Sequence, residues 1–223
     1  MRSLFAVMCV LGIQPFSAVA TTLALNGYND YPFNGISLTQ NNPALQGVLD
    51  WNKDTGVYRG RWAGSMEHFD TDVATDIYAG FSQAIASNWS FDVGVAKYSY
   101  WGAASSETLD YTETLAALSY RETKLTTGYA WDYFGTGAGH FVVKLAQNVP
   151  LTDNASLYLA VDRSQSLNKD KWSWEDSNNY IHWEITGNYD LRGFNLSAGV
   201  HNTTLSSYGD TRLLFGLSKT FSF

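Results

Sequence analysis

The sequence is poor in cysteine, proline and charge: its 223 residues include one cysteine and four prolines, and only 16% are charged. The cysteine, Cys9, lies in an apolar stretch at the amino terminus, so the rest of the chain cannot form a disulfide scaffold. No Pro-, Gly- or Ser-rich linker divides that remainder, which favours one domain over two. It also has no apolar run near the roughly 20 residues that a membrane-spanning helix needs.

The amino terminus has the features of a secretory leader. Arg2 precedes an apolar stretch that ends at Ala18-Val19-Ala20, the small-x-small pattern that signal peptidase accepts. We predict cleavage after Ala20, so that residues 1–20 are a signal peptide and residues 21–223 are the mature domain. Cys9 is not at the cleavage point, which argues against lipid attachment. Without Arg2, 13 of the 14 basic residues remain against 21 acidic ones, a net charge of −8 that argues against a nucleic-acid partner.

A period of two residues recurs along the mature chain, whereas helix-type spacing of apolar residues is hard to find. The clearest example is 211–223, where Leu213, Phe215 and Leu217 alternate with polar or small residues. Twelve such strands are predicted, at 24–36, 44–53, 56–66, 73–83, 89–100, 109–121, 124–133, 140–149, 155–165, 179–190, 193–203 and 211–223. Tight connections alternate with mostly longer ones, which is typical of an outer-membrane barrel.

A soluble β-sandwich or lipocalin-like barrel would show the same alternation, with its apolar face inward. Three features favour the membrane arrangement: tyrosine and tryptophan near strand ends, as interfacial girdles require, a polar face rich in Gly, Ser, Thr and charge, and a terminal phenylalanine. The expected girdle residues are Trp51, Tyr58, Trp62, Tyr98, Tyr100, Trp101, Trp131 and Tyr133.

The last residues, with Phe221 and Phe223 at alternate positions, resemble the carboxy-terminal signal by which the barrel-assembly machinery recognises its substrates. We therefore predict an all-β, antiparallel transmembrane β-barrel of twelve strands in the outer membrane of a Gram-negative bacterium. Its expected surroundings are outer-membrane lipid and lipopolysaccharide. Both termini would be periplasmic, and the loops around 37–43, 101–108, 134–139, 166–178 and 203–210 would lie outside.

Two motifs early in the mature chain carry a family resemblance. Residues 30–37 (DYPFNGIS) are followed by 42–47 (NPALQG) and by Asp50-Trp51. This order resembles the opening of the TorF-type family of small proteobacterial outer-membrane β-barrels, and 76–81 (DIYAGF) is similar to the next strand of that family. Pro32 and Asn34 stand where the family usually has arginines. The resemblance implies a barrel with a transport role.

If the apolar face meets lipid, the opposite face lines a lumen. The candidate pore-lining residues are Asp50, Arg59, Arg61, Asp76, Asp92, Asp132, Lys144, Asp162, His182, Glu184, His201 and Arg212. Including Arg59 and Arg61 requires that Tyr58 and Trp62 face outward. Twelve strands about 4.8 Å apart and tilted by about 40° give a backbone radius of roughly 12 Å, so small hydrophilic solutes or ions would pass. An acid-rich lumen would favour cations, although the same charges could pair and plug the barrel.

The predicted function is passive diffusion through a porin-like channel. A non-conducting structural or adhesive barrel remains an alternative, as does, less strongly, an outer-membrane lipid-modifying enzyme that uses His201 with Asn202 and Ser206. No G-x-S-x-G motif supports the enzyme. The loop 166–178 contains two tryptophans among charges but has no EF-hand spacing. We therefore predict no catalytic residues, no metal site and no cofactor.

Overall fold

The segments of two-residue alternation form β-strands in the computed structural model, which describes residues 20–223. The strands are β1 (Ala20–Tyr28), β2 (Pro32–Phe33), β3 (Ile36–Ser37), β4 (Ala44–Asn52), β5 (Val57–Ser65), β6 (Thr71–Ala86), β7 (Trp89–Gly102), β8 (Tyr111–Tyr120), β9 (Thr123–Ala130), β10 (His140–Pro150), β11 (Ala155–Ser166), β12 (Asn179–Leu191), β13 (Phe194–Thr203) and β14 (Arg212–Ser222). Two short 3-10 turns, Ser106–Leu109 and Tyr133–Gly135, lie in loops. The predicted signal peptide falls almost entirely on residues 1–19, outside the described residues, so cleavage after Ala20 stays a prediction.

All strands except β2 and β3 join into one closed antiparallel barrel. The barrel closes where the first strand meets the last, with Thr22 opposite Ser222 and Tyr28 opposite Gly216. On its other side β1 pairs with β4, and the remaining strands follow in chain order. Closure leaves the barrel without an unpaired sheet edge. The predicted fold, an all-β barrel of twelve antiparallel strands, is confirmed.

The two ends of the barrel differ in the length of their connections. One end of the barrel is where β1 begins and β14 ends, and we call it the short-turn end. The connections there are 53–56, 87–88, 121–122, 151–154 and 192–193. At the opposite end, which we call the loop end, they are 29–43, 66–70, 103–110, 131–139, 167–178 and 204–211. The alternation predicted from the sequence is therefore present.

The first predicted strand, 24–36, is wrong beyond Tyr28, where β1 ends. Residues 29–43 instead form a long loop that contains the hairpin β2–β3, in which Phe33 lies opposite Ile36. Asn34 and Gly35 connect the two short strands with φ values of 47° and 84°. A two-residue Asn-Gly turn with positive φ at both positions is the type I′ turn, which reverses the chain within a hairpin. The predicted strand cannot continue through this reversal.

The two faces of the barrel wall have different environments. Outward-facing apolar side chains are exposed, as Leu213 (61%) and Phe215 (52%) illustrate, whereas many inward-facing side chains are almost fully buried. The expected aromatic girdles are correct in part. Trp101 and Trp131 are exposed on the outside, but five others are buried in the interior: Tyr58, Trp62, Tyr98, Tyr100 and Tyr133. Strand parity explains the four that lie on β5 and β7, because successive residues point to opposite faces and these four fall on the inner one, whereas Tyr133 reaches the interior from a loop.

Candidate functional site: the barrel interior

Most of the predicted pore-lining residues do face the interior. They occupy positions in phase with the buried residues of their strands, and they are Asp50, Asp76, Asp92, Lys144, Asp162, His182, Glu184, His201 and Arg212. Sequence reasoning missed three further charged lining residues, Glu113 on β8, Lys124 on β9 and Asp190 on β12. Each alternates with outward-facing apolar residues of its own strand, such as Leu118, Leu125 and Leu191, and the sequence shows that alternation.

The inclusion of Arg59 and Arg61 in the pore lining is wrong. Both are exposed on the outer face of β5, whereas Tyr58 and Trp62 are buried inside. A shift of one residue in the assumed phase of a strand moves every side chain to the other face, and this strand carries aromatic residues on the face that meets the interior. Asp132 is also misplaced. It lies beyond the end of β9, where its Oδ1 accepts a hydrogen bond of 2.6 Å from the N–H of Gly137.

The hairpin loop 29–43 folds into the interior. Its Tyr31 ring packs on Trp62 of β5, with ring centroids 5.4 Å apart, and its Phe33 ring meets Tyr98 of β7 edge-on at 6.2 Å. At the hairpin turn, a Cβ on Gly35 would lie only 2.5 Å from the side chain of His182 and as close to that of Thr203. The hairpin therefore spans the interior from β5 and β7 to β12 and β13.

A single carboxylate, that of Asp30, organises the base of this hairpin. Its Oδ1 accepts hydrogen bonds from the N–H of Tyr31 (2.7 Å), the hydroxyl of Ser37 (2.5 Å) and the hydroxyl of Thr39 (3.0 Å). Asp30 is only 4% exposed, so these bonds form away from water. Bonds to a buried charged acceptor are among the stronger ones in proteins. The loop is therefore held in a defined shape inside the barrel.

Other loops fill the rest of the loop end with aromatic side chains. The Tyr133 ring stacks on His140 with centroids 4.1 Å apart, and the Trp174 ring packs edge-on against Tyr180 at 5.0 Å. Burial raises the pKa of the Tyr133 hydroxyl well above its ordinary value of 10.0, so the group stays neutral. A cavity of about 40 Å³ remains beside the hairpin, next to Asp30 and Glu184. That volume holds a few water molecules.

Tyrosine hydroxyls donate to carboxylates along one side of the inner wall. Tyr58 donates to Asp92 at 2.9 Å, and Tyr78 donates to Asp50. Both carboxylates lie within a few residues of the short-turn end, where Asp50 is only partly buried. These two acidic groups are therefore fixed in position by their neighbours, and Asp50 is in contact with solvent.

A cluster of ionisable groups lies on the opposite wall, under the hairpin turn. The Nδ1 of His182 is 2.7 Å from Asp162 Oδ2, and the Lys144 ammonium is 3.8 Å from the same oxygen. The His201 ring lies 5.5 Å from that of His182, and within the described residues neither of its nitrogens has a hydrogen-bond partner.

The arrangement required for the enzyme alternative is not formed. His201 faces the interior, whereas its neighbour Asn202 faces outward and donates to the carbonyl of Gly209 at 2.7 Å. The N–H of Ser206 is bound instead to the Glu175 carboxylate at 3.0 Å. In the part of the chain that is described, no group of three or more His, Cys, Asp or Glu side chains is placed to hold a metal ion. Nor does any helix of residues 20–223 combine the length and apolarity needed to cross a bilayer.

Acidic groups outnumber basic ones on the inner face of the strands. Seven acids and three bases point inward, a net charge of −4 with histidine neutral: Asp50, Asp76, Asp92, Glu113, Asp162, Glu184 and Asp190 against Lys124, Lys144 and Arg212. The hairpin adds a further carboxylate, Asp30. A closed barrel with a charged inner face and an apolar outer face is the architecture of outer-membrane porins and channels.

Three solved structures with this fold are outer-membrane porins and channels. The KdgM porin has a TM-score of 0.59 with this chain at 9% identity, over 91% of this chain and 99% of the porin. The NanC porin has the same TM-score at 6% identity, with 89% and 98% covered. An outer-membrane channel from Pseudomonas putida F1 has a TM-score of 0.57 at 11% identity, with 93% and 97% covered. At such low identities these similarities show the fold alone.

The family is established by sequence. Residues 13–215 match the family described as "Bacterial protein of unknown function (Gcw_chp)", and the chain belongs to that family. No curated protein matches the sequence.

Proposed function

We propose that this protein is a porin-like channel of the Gram-negative outer membrane, through which small hydrophilic solutes or ions diffuse passively. The observation that carries the proposal is the closed barrel with a charged, acid-rich inner face and an apolar outer face. Passive diffusion needs no catalytic step. We also propose that the chain is of the TorF type, since its DYPFNGIS motif supplies Asp30, the residue on which the inserted hairpin is built.

The preferred solutes are cations. The inner face carries a net charge of −4, and Asp50 and Asp92 are fixed near the short-turn end by tyrosine hydroxyls. Rings of fixed charge attract counter-ions at close range and exclude ions of the same sign. The inserted hairpin narrows the path, so the conducting species are ions and small solutes.

The proposed outer-membrane location requires that the chain is exported and then assembled into the membrane. A leader cleaved after Ala20 takes the chain to the periplasm, where the barrel-assembly machinery recognises the last strand through Phe221 and Phe223. Both phenylalanines are exposed, Phe223 at 77%, so they are accessible to such a partner. The finished barrel is surrounded by outer-membrane lipid and lipopolysaccharide, with its short-turn end in the periplasm.

A second candidate function is a closed, non-conducting barrel with a structural or adhesive role. The observation that favours it is the burial of the inner face at the loop end, where the side chains of His140, Tyr180 and His182 are almost inaccessible. If the hairpin and these buried side chains together close the interior at the loop end, ions have no continuous path.

Single-channel recording distinguishes the two candidates. The refolded mature protein is inserted into a planar bilayer, and the reversal potential is measured under a salt gradient. We expect discrete, cation-selective openings, and the double variant Asp50→Asn/Asp92→Asn should move the reversal potential towards zero. Asp153→Asn, in an exposed turn at the same end, removes a charge outside the lumen and is the matched control. A folded but silent barrel would instead support the non-conducting alternative.

A further inference from the structure

The charged side chains of the strands are sorted between the two faces of the barrel. Whereas the inner face is acidic, the outer face carries five bases and one acid: Arg59, Arg61, Lys97, Arg163 and Lys219 against Asp72. Lys97 forms a 3.1 Å ion pair with Asp110, and Lys219 lies over the rings of Phe194 and Phe221.

Arg59 and Arg61 stand out because they share the outer face of one strand and have no counter-ion. Both are exposed, and within residues 20–223 neither guanidinium forms an ion pair. The Arg59 guanidinium lies over the ring face of Trp51, with its Cζ 5.4 Å from the ring centroid. A lipid-facing arginine is destabilising, most strongly at the bilayer midplane and least near the interfaces. An anion from outside the chain would compensate the charge of the pair.

The height of the two arginines indicates where that anion lies. The turn 53–56 is at the short-turn end, and each residue of a tilted strand rises by about 2.5 Å along the barrel axis. Arg61 thus lies about 12 Å above Gly56 along the barrel axis. Arg59 lies about 5 Å lower than Arg61, and it is directly opposite Trp51 on β4. Tryptophan rings mark the level of the headgroups, and long basic side chains extend towards that level.

The outward-facing side chains that surround the two arginines are apolar. Arg61 lies between Leu49 and Ile77 on the neighbouring strands, and Arg59 lies beside Ala79. No acidic side chain of the described strands faces outward near them. A two-fold contact with a second copy would place arginine against arginine, which is unfavourable. A phosphate, by contrast, accepts bidentate hydrogen bonds from guanidinium groups.

We propose that Arg59 and Arg61 together bind the phosphate of an anionic phospholipid in the periplasmic leaflet. The site rests on the proposed outer-membrane location of the barrel but not on conduction. The two arginines supply the charge, Trp51 supplies an interfacial ring beside the headgroup, and the apolar surface around Leu49 and Ile77 contacts the acyl chains.

Native mass spectrometry of the mature barrel in detergent tests the site, with added phosphatidylglycerol and, separately, zwitterionic phosphatidylcholine as probes. The wild type should retain phosphatidylglycerol in preference to phosphatidylcholine. The double variant Arg59→Gln/Arg61→Gln should lose about tenfold in phosphatidylglycerol affinity. Arg163→Gln, which removes one outward charge near the loop end, is the control and should bind as the wild type does.

Equal phosphatidylglycerol binding by the wild type and the double variant would overturn the proposal. So would a change of oligomeric state in the double variant without a change in lipid binding, because the arginines would then serve a contact between copies. Bilayer recordings of the same preparations separate the two questions. A silent wild-type barrel that still loses phosphatidylglycerol in the double variant would refute conduction and leave the lipid site standing.

Discussion

Replacing Asp30 with alanine should release the hairpin from the barrel interior. The carboxylate accepts three hydrogen bonds, from Tyr31, Ser37 and Thr39. A hydrogen bond to a charged group contributes about 1.5–3 kcal/mol, but the three bonds are not additive and the Tyr31 N–H has a second acceptor in Thr39. We therefore expect a loss of about 2–4 kcal/mol. Since 1.4 kcal/mol is tenfold, the undocked population should rise by a factor of about 30 to 700.

The assay is single-channel conductance of the refolded variant. Asp30→Ala should show larger or more frequent openings than the wild type, and Asp30→Asn should be intermediate because its amide oxygen still accepts. Asp153→Ala, in an exposed turn, should behave as the wild type does. If Asp30→Ala folds into a barrel with wild-type openings, the carboxylate does not hold the hairpin and the reasoning is wrong.

The opposite perturbation should lock the hairpin in place. A Cβ at position 35 would lie 2.5 Å from Cγ2 of Thr203, so the two Cβ atoms would be at most about 4 Å apart, a separation that a disulfide tolerates once the His182 ring, which lies equally close to that Cβ, moves aside. The double variant Gly35→Cys/Thr203→Cys should therefore conduct less when oxidised and recover on reduction. Conductance that does not respond to the redox state would show that the hairpin does not limit the path.

Three further predictions concern other parts of the chain. Backbone hydrogen bonds from Ser207 and Ser206 lower the pKa of Glu175 below its ordinary value of 4.5, so this link between two loops is present above that pH and is lost as the pH falls through the lowered pKa. Hydrogen exchange of 204–208 should accordingly become faster in acid relative to Glu175→Ala, which lacks the link at every pH. Phe223→Ala should reduce the amount of barrel assembled in cells without changing the heat stability of protein refolded in detergent; an unchanged cellular amount would remove Phe223 from the signal. Gly80→Val should lower the melting temperature of the barrel, since its Cβ would lie 2.5 Å from the carbonyl oxygen of Val93 and overpacking costs about 1–3 kcal/mol. Unchanged melting would mean that β6 and β7 adjust freely there.

The strands were predictable because their outward faces are consistently apolar. In β14, Leu213, Phe215 and Leu217 define the lipid side without ambiguity, and inward Arg212 follows from them. In β5 the same rule failed, since arginines occupy the outer face and aromatic residues the inner one. The inner face of β5 packs against the inserted hairpin, so it is as hydrophobic as a protein core. Hydrophobicity therefore does not distinguish the inner face of this strand from its outer face.

The hairpin was missed although the sequence contains its signal. Asn34-Gly35 is the dipeptide most typical of a type I′ turn, and it lies between apolar Phe33 and Ile36. The period-two pattern instead predicts that this segment belongs to the first strand. Its position inside the barrel could not have been predicted, because it depends on contacts with Trp62, Tyr98 and His182, which are distant in sequence.

The contact between Gly35 and His182 also constrains the order in which the protein can fold. The hairpin follows the first strand, but the surface that receives its turn is built from β12 and β13, nearly 150 residues later in the chain. Contacts of such long sequence separation form late, because the intervening chain must be ordered first. The turn of the hairpin can therefore make its contacts with β12 and β13 only after those strands have formed, whereas Tyr31 and Phe33 can pack on β5 and β7 before the barrel closes.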